Sequence, residues 1–179
     1  MNKKNKLKVS LLLIATLSFL VFSACTSTND PVNNTVKTTG TLTASVTTTT
    51  YNGNYAPRHV LAIWIESSTG TFVKSLKVYG SARRQYLTNW NSNSSSNTTD
   101  AVTGATLNSH QKHSLSWNGT DKSGNVVGDG TYKLCVEYTE NDGTGKMATF
   151  SFTKGTATDA QTPGNSSGVT GVSLNWSPN

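Results

Sequence analysis

The chain has 179 residues, of which 34% are hydrophobic, 8% aromatic and 13% charged, and its formal net charge is +6. Four of the fifteen cations and none of the nine acids fall within residues 1–24; without that segment the balance is eleven against nine, a net +2, which excludes a nucleic-acid binder with a basic face. The length fits one domain with a modest core, and the abundance of Thr, Ser, Asn and Gly excludes a helical bundle and favours an exported all-β protein.

Lys3, Lys4, Lys6 and Lys8 form a positive leader, and an apolar run follows from Val9 to Phe22. The run is too short for a spanning helix of about 20 residues. A basic start, an apolar middle and small residues before a cut describe a secretory signal over 1–24. The junction Phe22-Ser23-Ala24-Cys25 resembles a bacterial lipobox. That resemblance implies that Cys25 becomes the lipidated N-terminus and that the partner of the chain's first residue is a membrane. Thr26 rather than Asp after Cys25 implies the outer membrane. Without the resemblance, the same segment reads as a plain signal peptide with an incidental cysteine. If Cys25 is lipidated, Cys135 has no partner within the chain, and it reads as a small apolar packing residue in a strand.

Residues 25–39 are polar, without apolar period, and read as a flexible tether. From Gly40 the pattern changes to that of a folded domain, 40–179. Leu42, Ala44 and Val46 alternate with Thr as a half-buried strand. His59 to Glu66 is apolar on both faces and reads as a central strand. Ser68-Thr69-Gly70 forms a hairpin turn into a strand over Phe72 to Tyr79. Ala82, Tyr86, Leu87 and Trp90 lie three to four apart, which predicts a short helix over Ser81 to Trp90 with Ser81 as N-cap. Asn91 to Asp100 holds no apolar residue and reads as a long surface loop.

Asp100-Ala101-Val102-Thr103-Gly104-Ala105-Thr106 follows. It resembles the acceptor sequence Asp-x-x-(Ser/Thr)-Gly-Ala-Thr of bacterial extracytoplasmic flavoproteins. The resemblance implies Thr106 as the residue that receives FMN through its phosphate from a flavin transferase, with Asp100, Thr103, Gly104 and Ala105 as recognition residues. Trp90, Tyr86 and Trp117 are expected as stacking surfaces for the ring. The competing reading makes Thr-Gly-Ala-Thr a turn into the next strand. His110 and His113 would converge on a metal as i and i+3 of a helix, but in an alternating segment they point to opposite faces and read as surface histidines.

Strands follow at His113 to Trp117, Thr131 to Thr139 and Met147 to Thr153, with Asn141-Asp142-Gly143 as the hairpin between the last two. Trp117-Asn118-Gly119-Thr120-Asp121 through Asp129-Gly130-Thr131-Tyr132 resembles a hairpin of the immunoglobulin-like domain in the flagellar hook-capping protein. Its alternative reading is a calcium loop through Asp121, Asn125 and Asp129, which lacks the closing Glu of an EF-hand. Thr156 to Gly168 is polar, and Val172, Leu174 and Trp176 alternate as a closing strand. About seven short strands with turns between them predict an immunoglobulin-like β-sandwich, with room for one short helix.

The ordered series from Pro57-Arg58-His59 through Trp64, Arg83-Arg84, Trp90, Asp100 to Thr106, His113, Trp117 and Asp129 to Tyr132 is similar to domain-of-unknown-function family 2271, a group of predicted periplasmic proteins. Membership implies an exported, often lipid-anchored β-rich domain near flavin-transfer and membrane redox systems. It implies no activity. No hydrolase, zinc or phosphate-loop motif is present, so no catalytic residue is assigned. Two function classes stand: a lipid-anchored binding or redox-accessory domain with FMN on Thr106, and a structural or adhesive cell-surface module without cofactor.

Overall fold

A computed structural model describes residues 35–179, and these form one compact unit. The expected targeting segment, Cys25 and most of the expected tether lie outside the described residues.

The chain folds as two facing sheets, antiparallel except where Val102–Gly104 runs parallel to Phe72–Tyr79, as the alternation predicts. β1 (Gly40–Thr48), β5 (Lys112–Trp117), β8 (Asp159–Gln161) and β9 (Val169–Pro178) form one sheet in the order β5-β1-β9-β8. The second sheet, in the order β4-β3-β2-β6-β7, takes β2 (Val60–Ser67), β3 (Phe72–Tyr79), β4 (Val102–Gly104), β6 (Gly130–Thr139) and β7 (Lys146–Lys154). The inner faces meet in one core, in which Leu42, Ile63, Ile65, Leu134, Val136, Phe152 and Trp176 are among the most deeply buried side chains. β2 is central because both its faces are apolar. Its outer face, with Val60, Ala62 and Trp64, packs under Leu87, Trp90 and Cys135 in a second apolar layer. Cys135 therefore packs as an apolar residue, and burial pushes its thiol up.

Two segments differ from the periodic reading. The helix expected from Ser81 to Trp90 divides into a 3₁₀ turn over Ala82–Tyr86 and an α-helix, α1, over Thr88–Ser94, and the Ser81 side chain makes no cap bond. The caps come from elsewhere. Glu137 on β6 is fully buried and accepts hydrogen bonds from the Asn89 and Trp90 backbone N–H groups at 3.1 and 2.8 Å, and from Asn89 Nδ2 at 2.9 Å. A carboxylate from another strand thus satisfies the orphan donors of the first turn and suits the positive end of the helix. Glu137→Ala is expected to cost about 2–3 kcal/mol, from two stranded N–H groups and a lost charge-assisted cap, readable as a lower urea midpoint.

The expected loop is not free of the sheet either. Asn91–Ser94 is helical, Trp90 is buried with Nε1 donating to Ser75 Oγ, and Ser75 Oγ donates to the Asn97 carbonyl. Trp90 and Trp117 are core residues, fully or almost fully buried, and are not stacking surfaces for a ring outside the domain.

The chain reaches β1 along one end of the sandwich. Asp129 N donates to the Val36 carbonyl, the Asp129 carboxylate accepts from Thr38 N and Oγ1, and Asn179 N donates to the Thr39 carbonyl. From Val36 onward, the stretch expected as tether lies against the domain.

Candidate functional site

β6 fixes two poles. Gly130 pairs with Lys154 at the end where the chain arrives, and Thr139 pairs with Val60 at the other. Ten extended residues separate these poles by about 30 Å. The segment Gly104 to Asn108 belongs to the Thr139 pole, because β4 runs parallel to β3 with Gly104 opposite Tyr79 and Leu107 bridges to His59.

Asp100 takes a left-handed backbone (φ 58°), which Asp tolerates better than most residues, and its carboxylate meets Lys74 Nζ at 3.1 Å while remaining largely in solvent. β4 is the edge strand of its sheet. Val102 and Thr103 are exposed on it, Gly104 is half-buried, and Ala105, just past its end, is exposed. A Cβ on Gly104 would stand 2.7 Å from the Tyr79 ring, so packing against that ring is one physical reason for glycine here. Its three residues, two exposed and one half-buried, leave no apolar alternation to read, which is why β4 has no periodic signature in the sequence.

The half-buried Thr106 lines a recess of about 260 Å³ with Tyr55, Arg58, Arg83 and Asn108. Arg83 is held from two sides. Its Nε donates to Asp142 Oδ1 at 2.8 Å, and its guanidinium carbon sits 3.8 Å from the centre of the Tyr55 ring. Tyr55 Oη donates to the other Asp142 oxygen at 2.6 Å. These bonds hold the Asp142 carboxyl below its ordinary range. Arg58 is exposed, and no ion pair to it occurs among the described residues. The recess is therefore net cationic beside a threonine hydroxyl.

Beneath it, the three histidines gather, contrary to the surface reading of His110 and His113. His59 is fully buried and stacks on His110, with ring centres 4.0 Å apart and planes 2° from parallel. His110 Nε2 donates to Glu140 Oε1 at 2.7 Å, so an acidic partner is present from a distant part of the chain. His113 is 2% exposed and lies against Tyr79. Burial would raise the Glu140 pKa, but hydrogen bonds from Gly53 N, Thr50, His110 and Tyr51 N outweigh it and hold the carboxyl at about 2. Burial pushes His59 down to about 4 against the hydrogen bond to the Pro57 carbonyl. Burial, aided by the Lys77 charge, takes His113 to about 4 as well.

Parallel stacked imidazoles cannot aim lone pairs at one ion, because a metal lies in the plane of each ligating ring. Among the described residues no group of three or more His, Cys, Asp or Glu side chains is placed to hold a metal. The Asp121 to Asp129 hairpin is engaged internally: Asp121 Oδ1 accepts from Ser123 N and Asn125 N, and Asp129 pairs with Lys154. It is an Asx-type turn, not three converging oxygens. Neither the histidine cluster nor the arginine recess has a local motif. Both are built from loops that meet only when β2, β4 and β6 align.

A family model described as "Predicted periplasmic protein (DUF2271)" matches residues 38–170. No curated protein and no solved structure matches the chain.

Proposed function

The chain belongs to domain-of-unknown-function family 2271, the predicted periplasmic proteins, and from that premise we propose that it is an exported, lipid-anchored and non-catalytic domain that carries FMN on Thr106. The observation that supports this most directly is where the acceptor-like segment stands. β4 is an exposed sheet edge, Ala105 is open to solvent, and Thr106 sits at the mouth of a cationic recess. A transferase needs an accessible hydroxyl with small neighbours beside it. A phosphodiester formed there would lie beside Arg58 and Arg83, which suit its negative charge. When bound, FMN supplies electron-transfer chemistry, and the chain supplies position and electrostatics.

The two poles add a physical sense. Cys25 lies outside the described residues, and residues 26–35 span at most about 35 Å when extended. Thr106 stands at the pole remote from Val36, where the chain joins the domain. In this reading the acceptor is open to a flavin transferase and then to a redox partner, while the anchored end stays clear of both.

The test is intact-mass measurement of protein co-expressed with a flavin transferase. A gain of one FMN less one water is expected, with Thr106→Ala abolishing it and Ser109→Ala leaving it. An unshifted mass, with a known acceptor labelled in parallel, removes the flavin reading.

A second reading, a structural or adhesive module, is favoured by one observation: Gly104 is accounted for by packing on Tyr79 without any transferase. It predicts that Thr106→Ala protein captures a surface partner as well as wild type does and carries no chromophore.

A further inference from the structure

The recess beside Thr106 holds more than an accessible hydroxyl requires. Arg83 is restrained by Asp142 and by the Tyr55 ring, so its guanidinium loses little freedom on meeting a ligand. Arg83 lines the recess from that fixed position and brings a planar guanidinium charge to it. Asp142 answers one positive charge through Arg83, while Arg58 brings a second that no described carboxylate answers. The Thr106 hydroxyl and the Asn108 amide add neutral donors to the same recess. A volume of about 260 Å³ accommodates a small oxyanion with part of what it is attached to.

We propose that this recess is a binding site for a phosphomonoester group, with Arg58 and Arg83 as its cationic partners and Thr106 and Asn108 as its hydrogen-bond donors. Guanidinium groups match phosphate oxygens by planar, charge-assisted pairs of hydrogen bonds. A neutral ligand of the same shape leaves the Arg58 charge unanswered, so the site selects for the phosphate and not for what it is joined to. The inference rests on the Thr106 reading only for which ester is bound. Binding is reversible and involves no covalent step.

The test uses the mature domain purified from a host without a flavin transferase. FMN, riboflavin and inorganic phosphate are titrated separately, following flavin fluorescence for the first two and displacement of FMN for the third. FMN is expected to bind at least tenfold more tightly than riboflavin, with inorganic phosphate displacing it. Arg58→Glu is expected to weaken FMN at least tenfold and to leave riboflavin unchanged. Because Arg58 is exposed and unpaired, its replacement should leave the melting temperature unmoved. Arg83→Lys, which keeps a charge but not the planar fork, should weaken FMN as well. Equal affinity for FMN and riboflavin, failure of phosphate to compete, or an Arg58→Glu protein that binds FMN like wild type each overturns the proposal. The two readings fail separately. Phosphate-selective binding without a covalent mass gain removes only the flavin attachment, whereas a mass gain on Thr106 with no dependence on Arg58 removes only the phosphate site.

Discussion

Acidification from neutral pH to pH 4 is expected to remove most of the stability of this domain, with the loss beginning near pH 6.5. The cause is the buried histidine group. His59 and His113 titrate at about 4 in the folded protein against 6.5 in an open chain. Between those values the unfolded chain binds protons that the folded one refuses, so stability rises with pH across that window and is fully present above it. Two and a half pH units correspond to about 3 kcal/mol for each histidine, a combined loss comparable to the whole stability of many small domains.

The geometry gives the reason. His59 Nδ1 donates to the Pro57 carbonyl, and its Nε2 is buried without a partner. His113 Nε2 is likewise buried and unpartnered. Neutral rings leave bare lone pairs there, a tolerable cost. Protonation would place an N–H in the same position with no acceptor, and on His59 would set a charge against the His110 ring stacked at 4.0 Å. The groups facing the cluster are Glu140, Lys77, Tyr79 and Tyr138. Glu140 adds a second, lower window, since its folded value of about 2 against 4.5 makes its contribution fade as pH falls below 4.5. Urea unfolding at pH 7, 5.5 and 4 measures the slope. His113→Phe is expected to halve the slope between pH 4 and 6.5, and a wild-type midpoint flat across that range would contradict the account.

These histidines also mark where the sequence stops being readable. β2 is legible because every residue from Val60 to Ile65 is apolar, and β5 because His113, Leu115 and Trp117 alternate inward with exposed Ser114 and Ser116. In the same pattern His113 reads as inward once its neighbours are assigned, so the alternation holds the signal that a surface reading passes over. The His59–His110–Glu140 cluster has no such signal: its members come from three turns far apart in sequence and meet only through the β2–β6 register and the His59–Leu107 bridge. The boundary of α1 is set by Glu137, on a strand more than forty residues away, so no local cap marks it. The acceptor-like segment is visible as a string of residue types. Its arginine neighbours are not, because Arg58 and Arg83 reach it from a turn and a 3₁₀ segment that carry no motif.

At the opposite pole, replacement of Lys154 by methionine is expected to cost about 3–5 kcal/mol and to release the segment on which the N-terminal region hangs. Lys154 is fully buried. Its Nζ donates to the Thr38 carbonyl and to Asp129 Oδ1, both at 2.7 Å, and lies 5.3 Å from the centre of the Trp176 ring. Asp129 in turn holds Thr38 through its backbone N–H and its hydroxyl. Removing the cation leaves the carboxylate largely shielded from water and strands a carbonyl, while methionine restores only the volume. Apolar replacement of both partners, Lys154→Met with Asp129→Leu, should recover part of the loss, because the desolvation of two charges is then no longer required. Trypsin cleavage after Lys37 reads the local consequence. It should be slow in the wild type, where Val36 and Thr38 are bound to Asp129, and fast in both variants, since Thr38 has lost its acceptors in the second and their cationic support in the first. Equal cleavage rates in the wild type and Lys154→Met would show that the pair stabilises the core without docking the N-terminal segment.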